Sequence, residues 1–345
     1  MKELLRKLCD RKNLTPQEAK TAMSVIMVGE ATSAQVAAFL VALKMKGETA
    51  EEIYGCAVAM RQASEKVTTK REGLTDTCGT GGDGKSTVNI STAAALVAAG
   101  AGLTVAKHGN RAVSSLCGSA DVLEALGVVL ELTPAEMGRC LDEVGMTFLY
   151  APALHPALRH AAAPRREVGV RSVFNVLGPL TNPAGARRQV MGVYAPELVR
   201  LLAEVLRMLG AERVLVVHGS DGSDELTLSG ESLVAEIRDG KLSCYHLAPE
   251  QVGLRRASAR ALQGGGAAEN AALLLDMLGG RRGAYREATV FNAAAALYVG
   301  GLAEDLQEGA HLAEQALDSG AATAKLEALK IFTGRCKENA GTDRC

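Results

Sequence analysis

Asp76-Thr77-Cys78-Gly79-Thr80-Gly81-Gly82-Asp83-Gly84 opens a unit that passes through Asn89-Ile90-Ser91-Thr92 into an alanine-rich run and ends on Lys107-His108-Gly109-Asn110-Arg111. Glycines at 79, 81, 82 and 84 would weaken a helix or strand interior, so they belong where the backbone turns tightly or closely approaches something. A glycine-rich loop offers bare N–H groups, and the run after Asn89 reads as a helix whose first amides are unpaired at its positive dipole end. Residues 104–106 read as a strand that carries Lys107 and the following loop to the same edge. A glycine loop, a helix N-terminus and a cationic loop in one unit point to a phosphorylated ligand. The unit is neither a Walker A sequence nor a dinucleotide fingerprint, since Lys85-Ser86 is preceded by Asp83-Gly84.

Outward from this unit the chain changes character. Residues 66–345 alternate short apolar runs with helical patterns, which predicts an α/β domain with a mainly parallel central sheet. Strands are expected at 104–106, 147–150, 189–193 and 214–218, with helices announced by Ser91, Thr133-Pro134 and Pro196-Glu197. Asp239-Gly240 predicts a hairpin between 234–237 and 243–247. Beyond it, helices are expected around 269–272, 290–299, 302–319 and 322–332, then a frayed polar tail from Lys337. Residues 165–183 lack the rhythm, as if the chain leaves the sheet there.

Residues 1–65 read as a small all-helical domain. Helices begin near Leu4, at Thr15-Pro16, at Ser33 and at Thr49. The third, spanning 36–43, is apolar almost all round and calls for burial on more than one side, in a bundle or against a second subunit.

The 345 residues are 48% hydrophobic, ample for a large core. With 38 basic and 39 acidic side chains the charge is balanced, which argues against a nucleic-acid binder. Eight scattered cysteines, without metal-ligand spacing, read as buried thiols of a reducing compartment. No membrane partner and a cytoplasmic location are expected from the absence of a leader-like apolar run or a membrane-length segment.

Several motifs in matching order carry a resemblance over nearly the whole chain: Gly79-Thr80-Gly81-Gly82-Asp83, Lys107-His108-Gly109-Asn110-Arg111, Ser114-Ser115, Gly118-Ser119-Ala120-Asp121 and Asn175-Val176-Leu177-Gly178-Pro179-Leu180-Thr181-Asn182-Pro183. Together they resemble the anthranilate phosphoribosyltransferases of tryptophan biosynthesis. The resemblance implies transfer of the phosphoribosyl group from phosphoribosyl pyrophosphate to anthranilate. It also implies a helical domain completed by a segment within 165–190, and a homodimer through that domain.

For phosphoribosyl pyrophosphate it implies Gly79, Gly82, Asp83, Thr87, Asn89, Ile90, Ser91, Thr92, Lys107, His108, Gly109, Asn110, Arg111, Ala112, Val113, Ser114, Ser115 and Ser119. Which anion each group touches stays open. Asp224-Glu225, in a Gly/Ser-rich loop after an apolar run, falls at the family's Mg2+ pair and Ser91 at its hydroxyl ligand; Asp221 reads as turn chemistry. For anthranilate the resemblance implies Gly79, Asn110 and Arg165. A planar guanidinium suits the carboxylate, although the neighbouring Arg166 is chemically equal in sequence. His108 and His155 are further candidates for lining the acceptor route, in positioning roles.

Leu226-Thr227-Leu228-Ser229-Gly230 departs from the family pattern and leaves the contacts there open. Two alternatives share the expected architecture. A pyrimidine nucleoside phosphorylase would open its loop with Lys-His-Ser-Thr-Gly-Gly, and a non-enzymatic nucleic-acid-binding relative would want a basic groove.

Overall fold

The computed structural model describes residues 1–112 and 115–342. It opens with α1 (Lys2–Cys9), α2 (Pro16–Met27), α3 (Ser33–Lys46) and α4 (Ala50–Ala63). The last three start on capping boxes, Thr15/Glu18, Thr32/Gln35 and Thr49/Glu52, each satisfying orphan amides of the first turn. Thr32, not Ser33, therefore caps α3: its extended backbone lets Oγ1 accept from Gln35 N at 3.2 Å. Val36, Phe39, Leu40 and Leu43 bury one side of α3 against α1 and the later chain, but Met45 is 71% exposed and Ala38 is exposed too. The expected burial on more than one side is thus not met within the described chain.

Glu52 ties this region together. Its buried carboxylate accepts from Leu14 N at 2.8 Å, Lys46 Nζ at 2.8 Å and Thr49 N at 2.9 Å, joining the α1–α2 and α3–α4 connections. Glu52→Ala would leave the Lys46 side chain, 5% exposed, without its counter-charge. A loss of roughly 3 kcal/mol is expected in urea unfolding; a loss below about 1 kcal/mol would mean that water replaces the carboxylate.

The sheet begins at β1 (Thr75–Asp76) and continues through α5 (Ile90–Gly100), β2 (Val105–Gly109), α6 (Ser119–Ala125), α7 (Pro134–Val144) and β3 (Met146–Tyr150). The chain then forms α8 (Ala151–Leu154), α9 (Arg159–Val168) and α10 (Phe174–Leu177), before β4 (Arg188–Gly192), α11 (Glu197–Met208) and β5 (Arg213–Gly219). A hairpin of β6 (Ser232–Arg238) and β7 (Lys241–Leu247) follows, turning at Asp239 and Gly240 with φ of 52° and 73°. Among the described residues the strand order is β3-β2-β1-β4-β5-β6-β7, parallel from β3 to β5 and antiparallel at the hairpin. The predicted strands are all present. β1, two residues without an apolar run, left no pattern to read.

Helices α12 (Ala267–Leu278), α13 (Ala284–Gly300), α14 (Leu306–Asp318) and α15 (Ala321–Thr342) complete the chain. α14 starts later than expected because Asp305 caps it, accepting from Gln307 N and Glu308 N. Residues 337–342 continue α15 where a frayed tail was expected, and the rest of that tail, 343–345, lies outside the described residues.

The central strands are buried on both faces, so their sequences run apolar without alternation. In β5, Leu215 and Val217 join a core with α5 and α13, while Val214 and Val216 join one with α11 and the N-terminal helices. α9 packs on α3 and α2, and Phe174, Val176, Leu177 and Leu180 enter the core of the N-terminal helices. Between β3 and β4, residues 159–180 thus pack on the N-terminal helices, overlapping the 165–183 segment whose rhythm was broken. No helix among the described residues is long and apolar enough to cross a membrane.

Candidate active site

From β1 the chain winds outward to β2 and β3, then returns to place β4 on the other side of β1. The sheet reverses its order between β1 and β4. A crevice opens at such a point beyond the carboxyl ends of the strands, and the glycine loop leaves β1 into it.

The loop is held from three sides. Thr80 N donates to Gly192 O at 2.9 Å, and Tyr194 N donates to Thr80 Oγ1 at 3.1 Å, fastening it to the end of β4. Gly81 N donates to Asp224 Oδ2 at 2.8 Å, fastening it to the loop after β5. Arg171 donates to Gly82 O and lies 4.4 Å over the Tyr194 ring. Both glycines singled out in the sequence meet a steric demand. A Cβ on Gly79 would stand 2.8 Å from Asp224 Oδ2, and Gly82 has a φ of +76°.

The acidic pair faces this loop. Thr77, Gly79, Ser91, Asp224 and Glu225 line one small cavity. Ser91 N donates to Glu225 Oε1 at 3.1 Å, so this carboxylate sits on the positive end of α5. Burial, then repulsion from Asp83, raises Asp224 to about 6; burial, then repulsion from Asp224, raises Glu225 to about 8. Crowded, raised carboxylates beside a hydroxyl are hard-oxygen donors that a divalent cation would relieve. Asp221 accepts from Ser223 N, Ser223 Oγ and Thr227 Oγ1, the expected turn role.

Lys107 lies beneath the loop. Its side chain is buried and Nζ donates to Thr77 O at 2.7 Å and Thr77 Oγ1 at 3.2 Å. Burial lowers its pKa. Asp76 accepts from the His108 backbone N at 3.1 Å and from the Asn182 side-chain Nδ2 at 2.8 Å, while Asn182 Nδ2 also donates to Ala106 O.

The expected phosphate residues fall into distinct settings. Ile90 is buried in the core, Thr92 is buried with an unpartnered hydroxyl, and Thr87 bridges to Gln263. Asp83 Oδ1 accepts from Lys85 N at 3.0 Å. The loop after β2 is pinned by Asp121, whose Oδ2 accepts from Ala112 N and Gly118 N, both at 2.9 Å. Arg111 commits its guanidinium to Glu124, Asp121 and the Tyr150 hydroxyl. Gly109 has no room for a Cβ, which would stand 2.4 Å from Ser119 Oγ; that hydroxyl donates to Asn110 O. Asn110 is exposed and Ser115 half-buried, while Val113 and Ser114 lie outside the described residues.

Of the residues expected to line the acceptor route, His108 and His155 lie with ring centroids 5.1 Å apart, both buried, both with Nε2 unpartnered. His108 Nδ1 is 3.1 Å from Gly178 O. Burial first, then the neighbouring histidine, pushes His108 down to about 3, and burial pushes His155 down to about 4, so both are neutral at pH 7. Arg165 is half-buried, 4.7 Å over the Phe174 ring, whereas Arg166 is exposed. That difference was invisible in the sequence.

The sequence reading missed Gly192, Tyr194, Arg171 and Asn292. A Cβ on Gly192 would stand 1.5 Å from Asp224 O. A glycine ending an apolar strand run was the available signal. Asn292 Oδ1 accepts from Leu226 N and its Nδ2 donates to Leu226 O, both at 3.0 Å, clamping the chain just after the acidic pair. Residues 226–228 are buried there, so the departure from the family pattern falls in a packed segment.

Two family descriptions match this architecture: the helical bundle domain of a glycosyl transferase family over residues 2–64 and its a/b domain over residues 71–323. Fold and site thus define a transferase of the glycosyl transferase class. The anthranilate phosphoribosyltransferase of Symbiobacterium thermophilum is 54% identical over 337 residues, covering 98% of this chain and 99% of that relative. The enzyme of the same name from Moorella thermoacetica is 53% identical, covering 95% and 97%. The crystal structure of anthranilate phosphoribosyltransferase from Thermus thermophilus superposes with a TM-score of 0.92 at 48% identity, covering 96% of this chain and 99% of that one. The Saccharomyces cerevisiae enzyme in complex with PRPP and Mg gives 0.89 at 27% identity, covering 96% and 97%. The chain belongs to the anthranilate phosphoribosyltransferase family.

Proposed function

We propose that this protein transfers the phosphoribosyl group of phosphoribosyl pyrophosphate to the amine of anthranilate, giving N-(5-phosphoribosyl)anthranilate and pyrophosphate in tryptophan biosynthesis. The observation that carries the reading is the glycine loop locked against Asp224 at the point where the sheet reverses its order. Gly79, Gly82, Asp83, Thr87, residues 89–92 at the start of α5, residues 107–112, Ser115 and Ser119 form the donor site, with the expected Val113 and Ser114 outside the described residues. Asp224 and Glu225 with Ser91 would hold Mg2+, which when bound neutralises charge on the departing pyrophosphate.

The protein's own task is positioning. The bond from the anomeric carbon to pyrophosphate oxygen breaks as positive charge develops on the ribose, the anthranilate nitrogen bonds to that carbon, and the amine then gives its proton to water. An aromatic amine needs no prior deprotonation to attack. His108 and His155, neutral through burial, therefore serve as walls of the acceptor route. Arg165 pairs with the anthranilate carboxylate, and Gly79 and Asn110 are further contacts assigned to the acceptor.

The helical domain, residues 1–65 completed by a segment within 165–190, is read as the face of a homodimer. The side of α3 bearing the exposed Met45 supports this reading. The balanced charge and seven free cysteines among the described residues support a cytoplasmic enzyme.

Loss of anthranilate fluorescence on mixing with magnesium and phosphoribosyl pyrophosphate tests the activity. Arg165→Ala tests the acceptor assignment. It removes one charge-assisted contact, on the order of 1.5–3 kcal/mol, so the anthranilate KM should rise by roughly one to two powers of ten with the donor KM unmoved. Arg165→Lys should recover part of the loss, and Arg166→Ala none of the effect. An anthranilate KM that moves only in Arg166→Ala would transfer the role to that residue.

A further inference from the structure

Asn89 stands at the N-cap of α5 yet makes no capping hydrogen bond to its helix. Asparagine is among the strongest N-caps because its side-chain oxygen takes the amide of the second or third helical residue. Here the second, Ser91 N, goes to Glu225, and the third, Thr92 N, has no protein acceptor among the described residues. Something diverts the Asn89 oxygen.

The stronger of its two donors is Asn270, on the first turn of α12 and 181 residues away; Cys117 Sγ, a weak donor, lies 3.4 Å from the same oxygen. Asn270 is 1% exposed, and its Oδ1 accepts from Gly265 N at 2.8 Å. A backbone N–H can only donate, so this bond fixes which end of the amide faces Gly265. Nδ2 must then face Asn89, and it donates to Asn89 Oδ1 at 2.9 Å. Asn89 in turn must point its Nδ2 the other way, where it donates to Cys117 O at 3.2 Å in the loop after β2. The orientation of two amides is thus set in one direction by one backbone group. The support is rigid: Gly264 N donates to Ser86 O and Val88 N to Leu262 O, and a Cβ on Gly264 would stand 2.6 Å from Asn270 Oδ1.

We infer that Asn270 is a positioning residue that holds Asn89 off its own helix, keeping the Thr92 amide at the start of α5 free for a phosphate and the Cys117 loop in register beside it. The inference rests on the phosphoribosyl reading above. Without Asn270, Asn89 Oδ1 keeps only the weak Cys117 Sγ donor at 3.4 Å, so it turns to cap Thr92 N and competes with the ligand. With an aspartate at 270, the bond to Gly265 survives, but a carboxylate oxygen faces Asn89 Oδ1 and drives that amide to turn over, breaking its bond to Cys117 O.

The test is calorimetric titration of the full chain with phosphoribosyl pyrophosphate and magnesium, alongside steady-state kinetics and thermal unfolding. Asn270→Asp should weaken donor binding about tenfold, with the anthranilate KM within about twofold of wild type and Tm nearly unchanged. Asn270→Ala should weaken donor binding as much and lower Tm besides, since Gly265 N loses its acceptor. Wild-type donor affinity in Asn270→Asp, with only Tm reduced in Asn270→Ala, would overturn the inference and leave Asn270 as a prop for the 262–266 turn. Equal weakening of donor and acceptor in Asn270→Asp would overturn it too. A wild-type chain that binds no phosphoribosyl pyrophosphate would instead overturn the reading on which the inference rests.

Discussion

Gly192→Ala is expected to cost more than about 4 kcal/mol of stability, and with it the site. The added Cβ would fall 1.5 Å from Asp224 O and 2.5 Å from Asp224 C, a backbone overlap that no rotamer relieves. Neither partner can step aside cheaply. β4 is paired on both sides, by β1 and β5, and the Asp224 loop is held by Gly81 N on one flank and by Asn292 on the other. Relief therefore requires breaking the latch between the glycine loop and Asp224, so the fraction that still folds should bind phosphoribosyl pyrophosphate poorly. Gly334→Ala is the control: its Cβ would meet nothing within 4 Å, on a helix, where alanine should add about 0.5–1 kcal/mol. Urea unfolding of both variants decides. A cost below about 1 kcal/mol at position 192 would show that the acidic loop yields, and the latch would lose its claim to rigidity.

Replacing Asp224 and Glu225 together by alanine is expected to lower turnover at least about a hundredfold and to abolish its dependence on magnesium, because stabilising the charge of the leaving group supplies most of the acceleration in such a reaction. The same variant has an opposite effect on stability. Both carboxyls are raised in the folded protein, Asp224 to about 6 and Glu225 to about 8, by burial and by the charges around them. Between the ordinary carboxylate range and those values the folded state binds more protons than the unfolded one, so wild-type stability falls as pH rises through that window. The double variant, without magnesium, should lose that slope and gain on wild type as the pH approaches 8. Turnover and magnesium response equal to wild type would remove the pair from the site. A wild-type pH slope in the variant would assign the slope to other groups.

Sequence alone determined what depends on neighbours a few residues apart. Thr15, Thr49 and Thr133 start helices because each cap and its glutamate three residues on are one local unit. Asp239-Gly240 makes its hairpin because both residues tolerate positive φ, and the glycine loop announced itself because its glycines need left-handed backbone or close approach. The parallel sheet followed from apolar runs buried on two faces. The tertiary structure decided everything whose partner is remote. β1 is a strand only because β2 and β4 flank two residues of it. Arg165 differs from Arg166 by the turn of one helix that puts one over Phe174 and the other in solvent. Gly192 is required by Asp224, Gly82 is held by Arg171, and Asn89 is aimed by Asn270, pairs that only folding brings together. Periodicity and capping record a residue's own backbone, whereas a lock between loops is recorded nowhere but in the packing of both.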